Sequence, residues 1–217
     1  MKEFVTSQVQ VRLPSRRRIW PFIVFALVIE VLFSFVSEKV TLGPHWFSIA
    51  VSVAILIAFI VALVIDNPSW IRRLYLLLIF ILTVKLTSSV VFLVFQLFKN
   101  STQGKQLFID AGLLWIVNIL IFALWYWGLD QGGEQCRYDN EASPSDLLFP
   151  QMTTTSPMWK TWMPAFTDYL FLSFNTSTAF SPTDTLFLSK KMKVLLMSQA
   201  SISLVIVAVL AAHAVGS

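Results

Sequence analysis

Long apolar runs separated by short polar stretches dominate the chain. A bilayer-spanning helix needs about 20 predominantly apolar residues, and about five runs approach or exceed that length. They are Trp20 to Val36, Trp46 to Ile65, Leu74 to Phe98, Leu107 to Leu129 and Val194 to Val215. The pattern therefore predicts an all-α integral membrane protein with about five transmembrane helices.

Residues 131–164 break this pattern with a polar, acidic stretch that contains four prolines, and we interpret it as an ordered loop. Its larger apolar side chains are expected to lie against the membrane interface. They are Phe149, Met158, Trp159, Trp162 and Met163.

The segment from Phe166 to Leu188 is too short and too rich in hydroxyl groups to cross a membrane. Thr167 or Asp168 is expected to cap a short helix, with the acid facing the helix dipole. The later Ser181-Pro182-Thr183-Asp184 stretch cannot continue that helix, because proline lacks the N–H group. A short helix, a polar turn and a spanning helix together predict a re-entrant helix and loop before the last span.

This pattern divides the chain into three regions. Residues 1–130 are predicted to form a four-helix membrane scaffold, 131–164 a polar loop, and 165–217 the re-entrant unit with the last span.

The composition supports a membrane protein and indicates which classes of partner to expect. Of the 217 residues, 56% are hydrophobic and only 13% are charged. The net charge of +4 comes from basic groups that flank apolar runs, so we expect lipid headgroups and not nucleic acid as counter-ions. A single cysteine, Cys136, excludes an intrachain disulfide and a cysteine-based metal cluster. We expect no cofactor and no metal site.

Motifs of the common enzyme classes are absent from the sequence. It contains no HExxH, GxSxG, P-loop or GxGxxG pattern, and the two histidines have no suitably spaced partners. We therefore expect the protein not to be an enzyme.

The segment Phe166 to Val215 resembles the pore module of the potassium-channel-like superfamily. Residues 173–178 (SFNTST) are similar to the end of a pore helix, and Ala179-Phe180-Ser181-Pro182-Thr183 stands where the ion filter would be. The resemblance implies a tetramer with a polar path, a hinge near Ser203, and a monovalent cation as the permeant ion. The filter-like and pore-lining residues that it implies are Thr176, Thr178, Ala179, Phe180, Ser181, Pro182, Thr183 and Asp184. The segment is also similar to uncharacterised bacterial membrane proteins that carry an AFSPTD motif.

The filter-like stretch differs from a potassium filter in its backbone requirements. Ser181 and Thr183 replace glycines, at a cost of about 1–2 kcal/mol each in a left-handed conformation, and Pro182 fixes φ. The sequence therefore predicts a channel-like protein that is not strongly selective for potassium. A non-conducting structural or regulatory subunit is the alternative, and a small ion-coupled transporter is a weaker one.

Three charged residues lie within or near the apolar runs, namely Glu30, Lys85 and Asp110. A lone charge at such depth costs at least about 2.5–3.5 kcal/mol, so each needs a partner or water. We expect Glu30 and Lys85 to form an intramembrane ion pair. A structural ion pair is favoured over a proton or ion relay, because no third titratable group continues a relay.

Two arguments about orientation disagree. With five spans, the basic residues that lie on the same side as residues 131–164 far outnumber those on the other side, which are Lys39, Lys99 and Lys105. The positive-inside rule then places the loop in the cytoplasm. The resemblance to channels places the same loop outside the cell membrane.

Overall fold

Apolar helices make up most of the structure, a computed structural model that describes residues 20–41, 45–65, 68–99, 104–130, 145–159, 162–181 and 184–216. The long helices are α1 (Trp20–Phe35), α2 (His45–Ile65), α3 (Pro68–Lys99), α4 (Gly104–Leu129) and α7 (Lys190–Gly216). The short ones are α5 (Pro150–Thr153) and α6 (Phe166–Ala179), with 3₁₀ turns at Glu38–Val40 and Pro157–Trp159. The predicted all-α class is confirmed.

Within the described residues, three helical stretches are long and apolar enough to cross a membrane, as judged by length and composition: Trp70–Lys99, Gly104–Leu129 and Lys190–His213. Two further apolar stretches, Pro21–Phe35 and Ser52–Val61, are shorter. The chain is therefore a membrane protein with transmembrane helices.

Helix α4 is the central element of the fold. It packs against α1, α3, α6 and α7. Side chains along most of its length are buried, whereas α7 is mainly exposed. The predicted boundary at residue 130 therefore falls directly after a helix that contacts both regions.

A close helix contact fixes α3 against the last turn of α4. Tyr75 of α3 donates a hydrogen bond to the carbonyl oxygen of Leu124 at 2.5 Å. The ring of Tyr75 lies where a Cβ atom on Gly128 would stand, only 2.2 Å away. Glycine at position 128 thus allows the two helices to approach.

Two strands of two residues each form a small antiparallel sheet. Strand β1 (Leu147–Leu148) pairs antiparallel with β2 (Leu186–Phe187), in the register Leu147↔Phe187 and Leu148↔Leu186. The N–H group of Leu188 adds a hydrogen bond to the carbonyl oxygen of Asp146 at 3.0 Å. This ladder holds the chain before α5 against the chain that leads into α7.

The expected interfacial side chains separate into two groups. Phe149 is 4% exposed and Trp162 is partly buried, and their rings contact each other with centroids 5.7 Å apart. For Phe149 the expectation of an interfacial position was wrong, because its side chain is buried in the protein, whereas Trp162 keeps part of its side chain exposed. Met158, Trp159 and Met163 are exposed.

Candidate functional site: helix α6 and its polar contacts

Helix α6 begins with a backbone-to-carboxylate contact. Ala165 is the N-cap residue, in an extended conformation, and its N–H group donates to Oδ2 of Asp168 at 2.7 Å. The carboxylate also lies in the first turn, where it interacts favourably with the helix dipole. The predicted cap was thus misplaced: Asp168 helps to begin the helix, but from its third position.

The helix ends after 14 residues at Ala179, and the C-cap residue Phe180 has a left-handed backbone with φ of 54°. At 1.5 Å per residue, α6 is about 21 Å long, whereas the hydrocarbon core of a bilayer is about 30 Å thick. The helix is therefore too short to cross. The sequence prediction of a short helix that stops before Pro182 agrees with these bounds.

Hydrogen bonds between α6 and α4 show which parts of α4 lie beside the two ends of α6. Near its start, the Tyr169 hydroxyl donates to Oδ2 of Asp130, directly after α4, at 2.7 Å. One turn later, the Ser173 hydroxyl donates to the Ile119 carbonyl oxygen at 2.7 Å. Near its end, Ser177 Oγ accepts from Asn118 at 3.4 Å. Helix α6 therefore runs from the C-terminal end of α4 to about the middle of α4.

Gln199 of α7 forms hydrogen bonds both to the same face of α6 and to α4. Its Nε2 group lies 2.8 Å from the carbonyl oxygen of Ser173, 2.7 Å from Oγ of Ser173 and 2.8 Å from Oγ of Ser177. Its Oε1 atom accepts from the Tyr126 hydroxyl of α4 at 2.7 Å. All these side chains are fully buried, and none carries a formal charge.

A second amide, that of Asn118, connects α4 to the middle of α7. Its Nδ2 group donates to Oγ of Ser203 at 2.8 Å, and both residues are fully buried. Its Oδ1 atom has no hydrogen-bond partner among the described residues. Together, Gln199 and Asn118 form a neutral polar cluster with the serines of α6 and α7, which fixes α6 between α4 and α7.

The predicted filter-like residues lie at the far end of this cluster. Five of them are exposed on the surface of the chain, namely Thr178, Ala179, Phe180, Ser181 and Asp184. Pro182 and Thr183 lie outside the described residues.

Two other predicted site residues are buried inside the protein. Thr176 is fully buried and donates to the Leu172 carbonyl oxygen at 2.9 Å. The expectation that Thr176 lines a path was therefore wrong, since no solvent or ion reaches its side chain. Ser203, the predicted hinge, is the acceptor for Asn118 within the continuous helix α7.

An ion pair and several hydrogen bonds fix both ends of the segment that contains α6. Lys191, in the first turn of α7, lies 2.6 Å from Oδ2 of Asp146 and donates to the Leu129 carbonyl oxygen at 3.1 Å. Asp130 accepts from the Leu147 N–H group at 3.2 Å as well as from Tyr169. The end of α4, the loop and the starts of α6 and α7 are thus connected.

The predicted ion pair is present away from this site. Lys85 Nζ lies 2.9 Å from Oε2 of Glu30, and the Ser52 hydroxyl donates to Oε1 of Glu30 at 2.6 Å. The ammonium group also lies 4.1 Å from the ring centroid of Phe33. The structure thus brings α1, α2 and α3 together around one neutralised pair, each member of which is only about a tenth exposed (10% and 11%).

Asp110, the third charged residue, accepts hydrogen bonds from uncharged groups. Its carboxylate accepts from the N–H and the hydroxyl groups of Ser37 at 3.0 and 2.7 Å, and from Gln106 at 2.9 Å. It therefore holds the end of α1 against the first turns of α4.

Sequence reasoning missed the residues that position α6, which are Asn118, Tyr126, Asp130 and Gln199. A signal was available for two of them, because Asn118 and Gln199 are amides inside apolar runs. Buried polar groups in such runs need partners, so they point to a helix contact. Nothing in the sequence indicates which helix supplies the partner.

Comparisons with protein-family models, with curated proteins and with solved structures find no match for this chain. The function proposed below therefore depends on the residues and contacts of the chain itself.

Proposed function

We propose that the chain is a channel-like, multi-pass protein of the cell membrane, in which α6 enters the bilayer and returns without crossing it. The length of α6 and its end beside Asn118, near the middle of α4, carry this proposal. The chain then returns from Phe180 to β2, where Phe187 contacts Tyr126 with ring centroids 5.6 Å apart. In this arrangement α1, α2, α3, α4 and α7 are the five spans.

The turn residues Phe180, Ser181, Asp184 and Thr185, which flank positions 182–183, form the proposed ion path. Non-helical backbone at membrane depth is tolerated only where it is buried in protein or lines water. Phe180, Ser181 and Asp184 are exposed on the single chain. Copies of the chain around an axis, which we expect to number four, would cover one side of this turn and leave water on the other.

Asp184 and the hydroxyl groups of Thr178 and Ser181 are the proposed contacts of a monovalent cation. A ring of carboxylates concentrates cations at the mouth of a pore, and hydroxyl oxygens replace part of the hydration shell. Phe180 adopts a left-handed backbone conformation although it is not a glycine. We do not expect strong potassium selectivity, because the neighbouring positions carry side chains that disfavour successive left-handed residues.

A non-conducting structural or regulatory subunit is the second candidate. The observation that favours it is that Ser173, Thr176 and Ser177 all make hydrogen bonds within the chain. Much of the hydroxyl content of α6 thus serves helix packing. The transporter alternative has less support, because Glu30 and Lys85 neutralise each other.

Cation flux into liposomes that contain the purified protein tests the proposal. We expect flux from the wild-type protein, and a several-fold change in cation flux or in its selectivity over anions for Asp184→Asn. Glu38→Gln is the matched control, since Glu38 is also exposed but lies after α1, away from α6. Absence of flux from correctly assembled protein would favour the non-conducting subunit. Flux unchanged by Asp184→Asn would remove this carboxylate from the path.

A further inference from the structure

The part of the loop between α5 and α6 exposes large apolar side chains. Met158 is 75% exposed, Trp159 37% and Met163 39%. Thr153, Thr154 and Thr155 precede them and are exposed too. We call the described residues 153–159 and 162–163 the interfacial segment. Such a density of exposed apolar surface in one short segment marks a contact with another apolar phase.

Contacts within the chain locate the interfacial segment at the end of α4. Trp162 packs against Phe149, and Phe149 packs against Tyr169 with ring centroids 5.4 Å apart. Tyr169 is hydrogen-bonded to Asp130, the residue after α4. The segment thus lies where the apolar helix α4 ends, which in a membrane is the level of the lipid headgroups.

The charges of this region fit a lipid surface. Between Leu147 and Thr167 the only charged residue is Lys160, and there is no acidic residue. Tryptophan prefers the interface, where its ring contacts acyl chains and its N–H group contacts headgroups. Lys160 is thus the one charge between these two positions of the sequence, and a positive charge is attracted to anionic lipids.

We infer that the interfacial segment binds the headgroup region of the bilayer, with Met158 and Trp159 inserted among the lipids. This inference does not depend on ion conduction. The packing of Trp162 on Phe149, and of Phe149 on Tyr169, connects the bound segment to the first turn of α6. The lipid contact therefore also sets the level at which α6 begins.

A fluorophore at position 158 tests the inference in vesicles of phosphatidylcholine and phosphatidylglycerol. Met158→Cys is made in a Cys136→Ser background, so that the new thiol is the only one, and is labelled with an environment-sensitive dye. Val84→Cys, which is exposed on α3 within the apolar span, serves as the deep control. The same dye on glutathione serves as the aqueous reference.

We expect blue-shifted emission from the dye at position 158, and stronger quenching by lipids with a nitroxide near the headgroup than by lipids with a nitroxide near the chain end. The deep control should show the opposite preference. Quenching by iodide should be several-fold weaker than for the aqueous reference. Iodide quenching equal to that reference would overturn the inference. Blue-shifted emission that no lipid quencher affects would overturn it too, because a second copy of the chain would then cover the segment.

Discussion

The side-chain amide of Gln199 lies 2.8 Å from the backbone carbonyl oxygen of Ser173, so that α7 hydrogen-bonds directly to the backbone of α6. The same amide group contacts the hydroxyl groups of Ser173 and Ser177, and Gln199 is fully buried. A single side chain of α7 therefore satisfies much of the polar face of α6. This contact makes Gln199 the residue whose loss should affect α6 most.

Gln199→Leu should lower stability, because the Tyr126 hydroxyl and the serines of α6 lose their partner while the volume changes little. A buried group left unsatisfied costs about 1–3 kcal/mol. Thermal unfolding of the detergent-solubilised protein measures the effect. Ser198→Ala is the control, since exposed Ser198 donates only to the Val194 carbonyl oxygen of its own helix. Equal midpoints for the two variants would contradict the proposed role of Gln199.

Glu30 and Lys85 should behave as one unit in a double-mutant cycle. Glu30→Gln or Lys85→Met alone leaves an uncompensated charge among apolar helices, at a cost of about 3–5 kcal/mol. The double variant should lose much less than the sum of the two single losses, since it leaves no charge behind. Chemical denaturation of all four proteins provides the cycle. Additive losses would mean that the two side chains are not coupled.

Gly128→Ala should disturb the contact between α3 and α4, because the added methyl group meets the Tyr75 ring at 2.2 Å. Overpacking of this kind costs about 1–3 kcal/mol. Gly112→Ala in the same helix is a matched control, because among the described residues no atom of a neighbouring helix lies within 4 Å of the added methyl group. It should leave stability unchanged or raise it, as alanine favours a helix. A lower unfolding midpoint for Gly112→Ala than for Gly128→Ala would contradict the packing described here.

Labelling of Cys136 should decide the orientation of the membrane protein. The distribution of basic residues predicts that residues 131–164, and with them Cys136, lie in the cytoplasm. A membrane-impermeant maleimide should then label the thiol only after cells are permeabilised. Lysed cells provide the control for reactivity of the thiol. Rapid labelling of intact cells would reverse the orientation and agree with the resemblance to channels.

The sequence was sufficient to predict the five long helices and α6, because their signals are local, whereas α5 lies in the stretch that was predicted to be a loop. Proline at 182 and the hydroxyl-rich stretch before it predict the end of α6, and the structure ends α6 at Ala179. The depth of Glu30 and Lys85 in their apolar runs also predicts a pair, since each charge needs a partner. In both cases the physical cause, a proline that cannot continue a helix or a charge inside an apolar run, can be recognised from a few neighbouring residues.

The orientation of α6 could not be predicted in the same way. Thr176 and Thr178 differ by two positions, so one is buried while the other is exposed, and both faces of α6 mix hydroxyl and apolar groups. Helical periodicity therefore does not identify the face that meets α4. Gln199 and Asn118 decide it, but their partners come from other helices and are distant in sequence. Phe149 illustrates the same limit, because composition alone does not separate a buried ring from an interfacial one.

The contact between Gln199 and α6 also has a consequence for biosynthesis. Helix α6 leaves the ribosome before α7, so Ser173 can bond to α4 before Gln199 has been synthesised. Polar groups without partners raise the free energy of a helix in a hydrocarbon environment. Before α7 is inserted, the membrane surface is therefore the more favourable location for α6. The insertion of α7 would then supply the missing donor, and α6 would reach its final depth as one of the last steps of assembly.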